Sequence, residues 1–274
     1  MLSTVTPAQP FIKWAGGKRA ILAQILPHLG SRAGVYHEPF LGGGALFYAL
    51  APARAILSDI NADLITTYTA IRDDVEQVIP LLHAHKAQHE AQHEDQYYKQ
   101  VRAQRPTSAA AIAARFIYLN RTCFNGLYRV NKGGGFNVPM GRYAHPTICD
   151  APTLLRASAA LQGHEIRCAP FADVAGRARA GDLVYCDPPY VPASPTSDFT
   201  SYSAAGFTLA DQVALRDMAD HLRARGVQVV LSNSDTPITH DLYRTYRIVT
   251  IAAPRAINSK VSGRGMVQEI LAIG

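Results

Sequence analysis

Residues 182–192 read DLVYCDPPYVP, an apolar run that ends in an acid, two prolines and a tyrosine. Asp187, Pro188, Pro189 and Tyr190 cannot all serve a strand, because proline has no N–H for a sheet ladder and a carboxylate is costly to bury unpaired. Asp187 and the Pro188 carbonyl form two acceptors with no competing local N–H, and Tyr190 adds a flat face for stacking. Such a set suits a planar ring that bears an exocyclic amine. That amine is a poor nucleophile while its lone pair is delocalised into the ring. Two accepted hydrogen bonds draw it toward tetrahedral geometry, and the localised pair can then attack an electrophilic methyl group.

A second group lies in EPFLGGGALF (38–47), which follows an apolar run and opens a helix-like stretch. Gly42, Gly43 and Gly44 let the backbone approach a ligand where a side chain would clash. Another apolar run ends in SDIN, placing Asp59 17 residues beyond Gly42, close to the ~20 expected for an acid that bonds ribose hydroxyls. The pair points to a cofactor containing a nucleoside; a simple tight turn is the alternative. Phosphate binding is disfavoured, since no Walker lysine-serine pair follows and Phe47 stands where the dinucleotide pattern wants glycine.

Both groups sit at the ends of short apolar runs, and such runs recur at 34–40, 54–60, 165–171, 182–187, 227–233, 246–253 and 266–273. These read as strands. Helix-like stretches at 18–29, 44–51 and 208–225 separate several of them, the alternation of a doubly wound α/β sheet whose strand carboxyl ends face a ligand crevice. The alternation fails between Asp59 and Glu165, where roughly 100 residues of helix and loop exceed any ordinary connection. We read this as an inserted helical subdomain. Its run HAHKAQHEAQHE (83–94) spaces His85, His89 and His93 by single helical turns. That spacing could hold a metal, but no metalloprotease motif accompanies it, so a solvated helix face is expected and no metal is assigned.

The segments FIKWAGGKRAIL (11–22), YHEPFLGGGALFY (36–48), LSDIN (57–61), RFIYLNRTCFNGLYRVNKGGGFNVPMGRY (115–143), LVYCDPPY (183–190), DFTSY (198–202) and LSNSDT (231–236) occur in this order. Together they resemble the Dam-like DNA adenine-N6 methyltransferases, S-adenosylmethionine enzymes of the alpha arrangement. The resemblance spans almost the whole chain. It implies a Rossmann-like catalytic domain at 1–61 and 164–274, with a helical target-recognition domain inserted at 62–163. It further implies that Trp14, Lys18, Pro39, Phe40, Gly42 and Gly44 cradle S-adenosylmethionine while Asp59 holds its ribose. In CAPFAD (168–173), Phe171 would pack on the cofactor adenine and Asp173 would accept from its amino group; a packed Phe and a surface Asp are the alternatives. Asp187, Pro188 and Tyr190 would then hold and stack on the target base.

A base amine inside a duplex is stacked and inaccessible, so the target nucleotide must be extruded and the gap filled. Within LNRTCFNGLYRVNKGGG (119–135), Arg121, Phe124, Asn125, Arg129 and Lys132 mix aromatic and basic groups suited to double-stranded DNA. By resemblance, Phe124 stands where the family has an intercalating tyrosine, Arg129 where it has a guanine-reading arginine, and Lys13 where a residue reads the first guanine of GATC. A core aromatic for Phe124 and a solvated lysine for Lys13 are the competing readings. The loop 191–207 is expected to close as a lid or to serve as a connector, and Lys260 and Arg264 in INSKVSGRG (257–265) to touch phosphates or remain solvated.

Composition agrees with this picture without deciding it. The 274 residues are 48% hydrophobic, enough for one large domain or a core with an insertion, and a net charge of +6 allows a polyanionic partner. The four cysteines form no C-x-x-C pair, which argues against a zinc site or disulfide framework and fits a reducing cytoplasm. No leader or span of ~18 apolar residues is visible, so a soluble protein is expected. The competing functions are a cytosine-N4 methyltransferase, a catalytically silent DNA-binding module and, more remotely, a nicotinamide-dependent dehydrogenase.

Overall fold

The computed structural model describes residues 7–30, 34–92, 94–131, 133–192, 206–254 and 266–274. His93, Lys132, Lys260, Arg264, the segment 198–202 and most of the 191–207 loop lie outside the described residues. In chain order the elements are α1 (Leu22–Ile25), β1 (Tyr36–Glu38), α2 (Ala45–Leu50), β2 (Ala55–Asp59), α3 (Ala62–Ala91), α4 (Glu94–Ala103), α5 (Ala109–Thr122) and α6 (Ala151–Leu161). They continue with β3 (Glu165–Cys168), α7 (Val174–Arg177), β4 (Leu183–Cys186), α8 (Leu209–Ala224), β5 (Gln228–Ser234), α9 (Pro237–Leu242), β6 (Arg247–Pro254) and β7 (Met266–Ile273).

Each apolar run read as a strand contributes one strand to a seven-stranded sheet ordered β3-β2-β1-β4-β5-β7-β6. The first five strands are mutually parallel, and β7 runs antiparallel between β5 and β6. The chain steps outward from β1 through β2 to β3, then returns to lay β4 on the other side of β1. Such a reversal opens a crevice beyond the carboxyl ends of the two strands that flank it. The glycine turn leaves β1 at that crevice, and Asp187 leaves β4 beside it.

Side-chain alternation explains how the sheet is covered on both faces. Leu183 and Tyr185 join Val230 and Leu271 in one apolar cluster, while Val184 and Cys186 join Val229, Leu231, Ile270 and Ala272 in another. This is the period of two expected of strands buried on both sides. α7, α8 and α9 cover the second cluster. The first continues without interruption from α1 and α2 into α3, α4, α5 and α6, so the helices between β2 and β3 share their core with the sheet. α3 packs on α5 and α6 and also reaches β2 and β3, which makes it part of the crossover that a parallel β2–β3 pair requires.

Two local expectations are corrected. The stretch 18–29 is a broken helix, with 3-10 turns at Lys18–Ile21 and Leu26–His28 flanking α1; Pro27 supplies no N–H to continue an α ladder. His85 and His89 of α3 do not lie on a solvated face either. His89 is buried with Nδ1 3.0 Å from the Tyr118 hydroxyl, and His85 lies 2.8 Å from the Tyr97 hydroxyl and stacks on the Tyr118 ring. Burial lowers the pKa of both histidines, His85 to about 4, so they act as neutral packing groups.

Candidate active site

Asp187 follows the last residue of β4, and its side chain is 22% exposed. Lys18 reaches it from the 3-10 turn after the first glycine pair, with Nζ 2.9 Å from Asp187 Oδ1. That oxygen is buried and receives no hydrogen bond of good geometry, so the contact is ionic. Burial raises the Asp187 pKa, the Lys18 charge opposes the rise, and the nearby Glu269 charge adds to it. Lys18 also donates to the Gly16 carbonyl at 2.9 Å and sits 4.7 Å from the centre of the Tyr190 ring. The Tyr190 hydroxyl donates to Glu269 Oε2 at 2.9 Å.

The strand exit is fixed from two further directions. Gln212 of α8 donates to the Pro189 carbonyl at 2.7 Å and accepts from Asn233 Nδ2 at 3.0 Å. Asn233 of β5 accepts from the Val191 amide at 3.0 Å, and Ser234 donates to the Val191 carbonyl at 2.6 Å. Gln212, Asn233 and Ser234 are buried. Among the described residues no donor reaches the Pro188 carbonyl, which leaves it and Asp187 as acceptors at the crevice.

The glycine turn is tied to Asp59 directly. Asp59 Oδ2 accepts from the Gly42 amide at 3.1 Å, and Oδ1 accepts from the Asn61 amide at 3.0 Å. Burial raises the Asp59 pKa, and these backbone bonds oppose the rise. Gly42 has φ +47°, and a Cβ there would lie 2.6 Å from Trp14 Cδ1. Glycine therefore supplies both the left-handed conformation and the space in which the indole packs. On its other side Trp14 stacks with Tyr128 and Phe116, at centroid distances of 5.8 and 6.4 Å. Pro39 is buried in the turn, and Gly44 (φ +65°) ends it at the start of α2.

Glu38, the last residue of β1, is 3% exposed and accepts from the Tyr36 hydroxyl at 2.8 Å. Burial pushes its carboxyl up to about 8, with Asp187 and Asp59 adding to the rise and the Tyr36 bond opposing it. Even with Glu38 protonated, Asp59, Asp187 and Glu269 outnumber the one ammonium, that of Lys18, placed among them in the described residues. Such a pocket favours a cation. Phe40 stacks on Phe171 at 5.6 Å, and Phe207 meets both edge-on at 5.9 Å. Asp173 Oδ2 pairs with Arg177 at 2.8 Å and Arg167 at 3.4 Å.

The residues read as DNA contacts divide. Lys13 is exposed, with Nζ 4.5 Å from the centre of the Tyr143 ring, and a Cβ on Gly126 would lie 2.6 Å from Lys13 Cβ. Asn120 of α5 accepts from the Lys13 amide at 2.8 Å and donates to its carbonyl at 2.7 Å and to the Gly126 carbonyl at 3.2 Å. Lys13 and the Phe124–Gly126 turn are therefore locked together. Phe124 is 47% exposed rather than a core aromatic, and Asn125 beside it has φ +55°. Arg129 is exposed and braced by Asn137 Oδ1 at 2.7 Å. Arg121 is the correction. Its half-buried guanidinium donates to the Phe11 carbonyl, so it anchors the N-terminal segment rather than presenting a free cation.

Residues 14–257 match the family described as D12 class N6 adenine-specific DNA methyltransferase. The chain belongs to this family. A type II methyltransferase, M1.LlaDCHI, from Lactococcus lactis subsp. cremoris is 41% identical over 267 residues, covering 96% of this chain and 94% of its own length. DNA adenine methylases from Vibrio cholerae serotype O1 (strain O395) and Escherichia coli K12 are 39% and 36% identical, covering 96% of this chain and 95% and 94% of theirs. A solved precorrin 8W decarboxylase from Methanobacterium thermoautotrophicum covers 93% of the chain and 89% of its own at 10% identity with a TM-score of 0.37, a likeness too weak to bear on function.

Sequence reasoning about this D12 methyltransferase passed over Glu38, Gln212, Asn233 and Glu269. Two of them left a trace: Glu38 and Glu269 are acids set within apolar strand runs, where an unpaired charge is costly. Gln212 left none, since a glutamine on an amphipathic helix reads as surface. Among the described residues no helix is long and apolar enough to cross a membrane, and no group of three or more His, Cys, Asp or Glu is placed to hold a metal.

Proposed function

We propose that this D12 methyltransferase moves the methyl group of S-adenosylmethionine to the N6 amine of an adenine extruded from double-stranded DNA. One observation carries the reading: a buried carboxylate oxygen of Asp187, whose close partner is the Lys18 ammonium at 2.9 Å, lies where the chain reverses between β1 and β4. The residues beside it suit the cofactor. Asp59 keeps lone pairs for ribose hydroxyls after its two backbone bonds, exposed Ile60 offers an apolar face next to it, and the acidic surplus favours a cation. Trp14, Lys18, Pro39, Phe40, Gly42 and Gly44 shape this pocket, with Phe171 beside Phe40. When bound, S-adenosylmethionine supplies an electrophilic methyl on a sulfonium. Asp187 and the Pro188 carbonyl accept hydrogen bonds from the two amine N–H groups and localise the lone pair, Pro189 keeps the exit rigid, Tyr190 stacks on the base, and one proton leaves the nitrogen for water once the methyl is bonded to it. Asp187 orients the amine rather than acting as a general base, because the proton becomes acidic only after the methyl arrives.

Residues 62–163 act in this proposal as the target-recognition unit, built around the β2–β3 crossover. Phe124 fills the gap left by the extruded base, Asn125 lines it, and Lys13 and Arg129 read guanines, with GATC as the proposed site. Single-molecule sequencing of DNA from cells expressing the chain tests base and motif together, and N4-methylcytosine in place of N6-methyladenine would refute the reading. Asp187→Ala is expected to slow single-turnover methylation by about 10²-fold or more while S-adenosylhomocysteine still binds. Unchanged turnover would remove Asp187 from the mechanism, and binding without any methyl transfer by the wild-type chain would favour a silent DNA-binding module.

A further inference from the structure

Glu269 enters the crevice from β7, the antiparallel strand inserted between β5 and β6. Its Oε2 accepts the Tyr190 hydroxyl at 2.9 Å and lies 3.8 Å from Lys18 Nζ. The same ammonium is 2.9 Å from Asp187 Oδ1 and lies over the Tyr190 ring. Lys18, Glu269 and Asp187 side chains are only 5%, 15% and 22% exposed. One buried cation is thus shared between two carboxylates, and the second carboxylate also tethers the tyrosine.

We propose that Glu269 is a positioning residue: its carboxylate anchors the Tyr190 ring and gives Lys18 a second partner to move toward, so that Asp187 can receive the incoming amine. This rests on the methyl-transfer reading above. An acceptor paired only with an ammonium must give up that partner when a neutral amine arrives, and in a site shielded from water the exchange is costly. A second anion on the far side of Lys18 reduces that cost, because the cation keeps a partner as it moves. A phenol without an acceptor would also be free to reorient, and stacking geometry would be lost.

The groups facing Asp187 are Lys18 from the 3-10 turn, Glu269 from β7, Glu38 from β1, Tyr190 from the same strand exit, and Tyr185 and Cys186 from β4. Of these, the Glu269 charge raises the pKa of Asp187 beyond what burial does, and Lys18 and the Tyr190 hydroxyl lower it. Removing the Glu269 charge should therefore let Asp187 ionise at lower pH.

Two variants separate the roles. Glu269→Gln keeps an acceptor for the tyrosine but removes the charge, whereas Tyr190→Phe removes the tether and keeps the charge. Single-turnover methylation of an adenine-containing duplex, at saturating S-adenosylmethionine and across pH, is the measurement. The fluorescence of Trp14, the single tryptophan, reports S-adenosylhomocysteine binding in parallel. Glu269→Gln is expected to lower the plateau rate by about tenfold, the scale of one lost charge-assisted contact, and to move the acidic limb to lower pH. Tyr190→Phe is expected to slow the reaction and, because the Tyr190 hydroxyl lowers the Asp187 pKa, to move the acidic limb to higher pH, opposite to Glu269→Gln; both should bind S-adenosylhomocysteine within about threefold of the wild-type chain. A Glu269→Gln enzyme with the wild-type rate and limb, or one whose whole loss is weaker cofactor binding, overturns the proposal. A wild-type chain that makes no N6-methyladenine overturns the reading beneath it, and the proposal with it.

Discussion

Gln212 donates to the Pro189 carbonyl at 2.7 Å while accepting from Asn233, so a helix and a strand jointly clamp the backbone that carries Asp187. The Asp187 and Pro188 acceptors can serve an amine only if they are held at fixed angles, and a displacement of about 1 Å in such a site can cost up to ~10²-fold in rate. Gln212→Ala should lower the single-turnover methylation rate by roughly 10- to 100-fold with little change in the KM for DNA. It also strands the buried Asn233 amide, for a stability loss of about 1 to 3 kcal/mol. Stopped-time methylation and thermal melts on the same preparation check both. A stability loss with the rate unchanged would reduce Gln212 to a packing group.

The acid at the end of β1 sets a pH dependence. Glu38 titrates near 8 in the folded chain, whereas an unfolded glutamate titrates at about 4.3. Between these values the folded state holds a proton that the unfolded state has released. The contribution is fully present below about pH 4.3 and is lost as pH rises toward about 8. The Tm of the wild-type protein should fall across this window, and Glu38→Gln should flatten the fall. A cationic ligand favours the ionised carboxylate, so cofactor binding near neutral pH should release protons, seen as a buffer-dependent heat in calorimetry. Proton uptake would contradict the assignment.

Phe124 projects from the turn that Asn120 fastens to Lys13. Because it is 47% exposed, Phe124→Ala should change stability by less than about 0.5 kcal/mol. Its effect should fall on extrusion: methylation of a fully paired duplex drops by roughly tenfold, and a mismatch opposite the target adenine restores the rate, since unpairing costs only a few kcal/mol and a mismatch removes much of it. Equal losses on paired and mismatched duplexes would place Phe124 outside the extrusion step.

The site was legible where residue type alone constrains chemistry. Two prolines after an apolar run cannot extend a sheet ladder, and Asp187 between the run and the prolines had to face outward. The spacing of Gly42 and Asp59 pointed only to an acid for ribose hydroxyls; the hydrogen bond from the glycine amide to that carboxylate is an addition the spacing did not announce. Arg121 shows the limit. Its neighbours on the chain suited DNA, but its guanidinium turns to the Phe11 carbonyl, a partner 110 residues away that no local pattern encodes. His85 and His89 failed for a related reason: their polarity suggested solvent, and tyrosines from α4 and α5 supplied hydrogen-bond partners inside the core.

The sequence by itself determined the alternation of strands and helices, the glycine turn and the acceptors at the end of β4, because periodicity, proline and glycine act within a few residues of themselves. Only the tertiary structure decided which strands are neighbours. It placed β4 beside β1, and through an antiparallel insertion it brought Glu269 to Tyr190, 79 residues away along the chain. Long-range pairing of this kind follows from burying both faces of one sheet at once, a condition on the whole chain that no single segment contains.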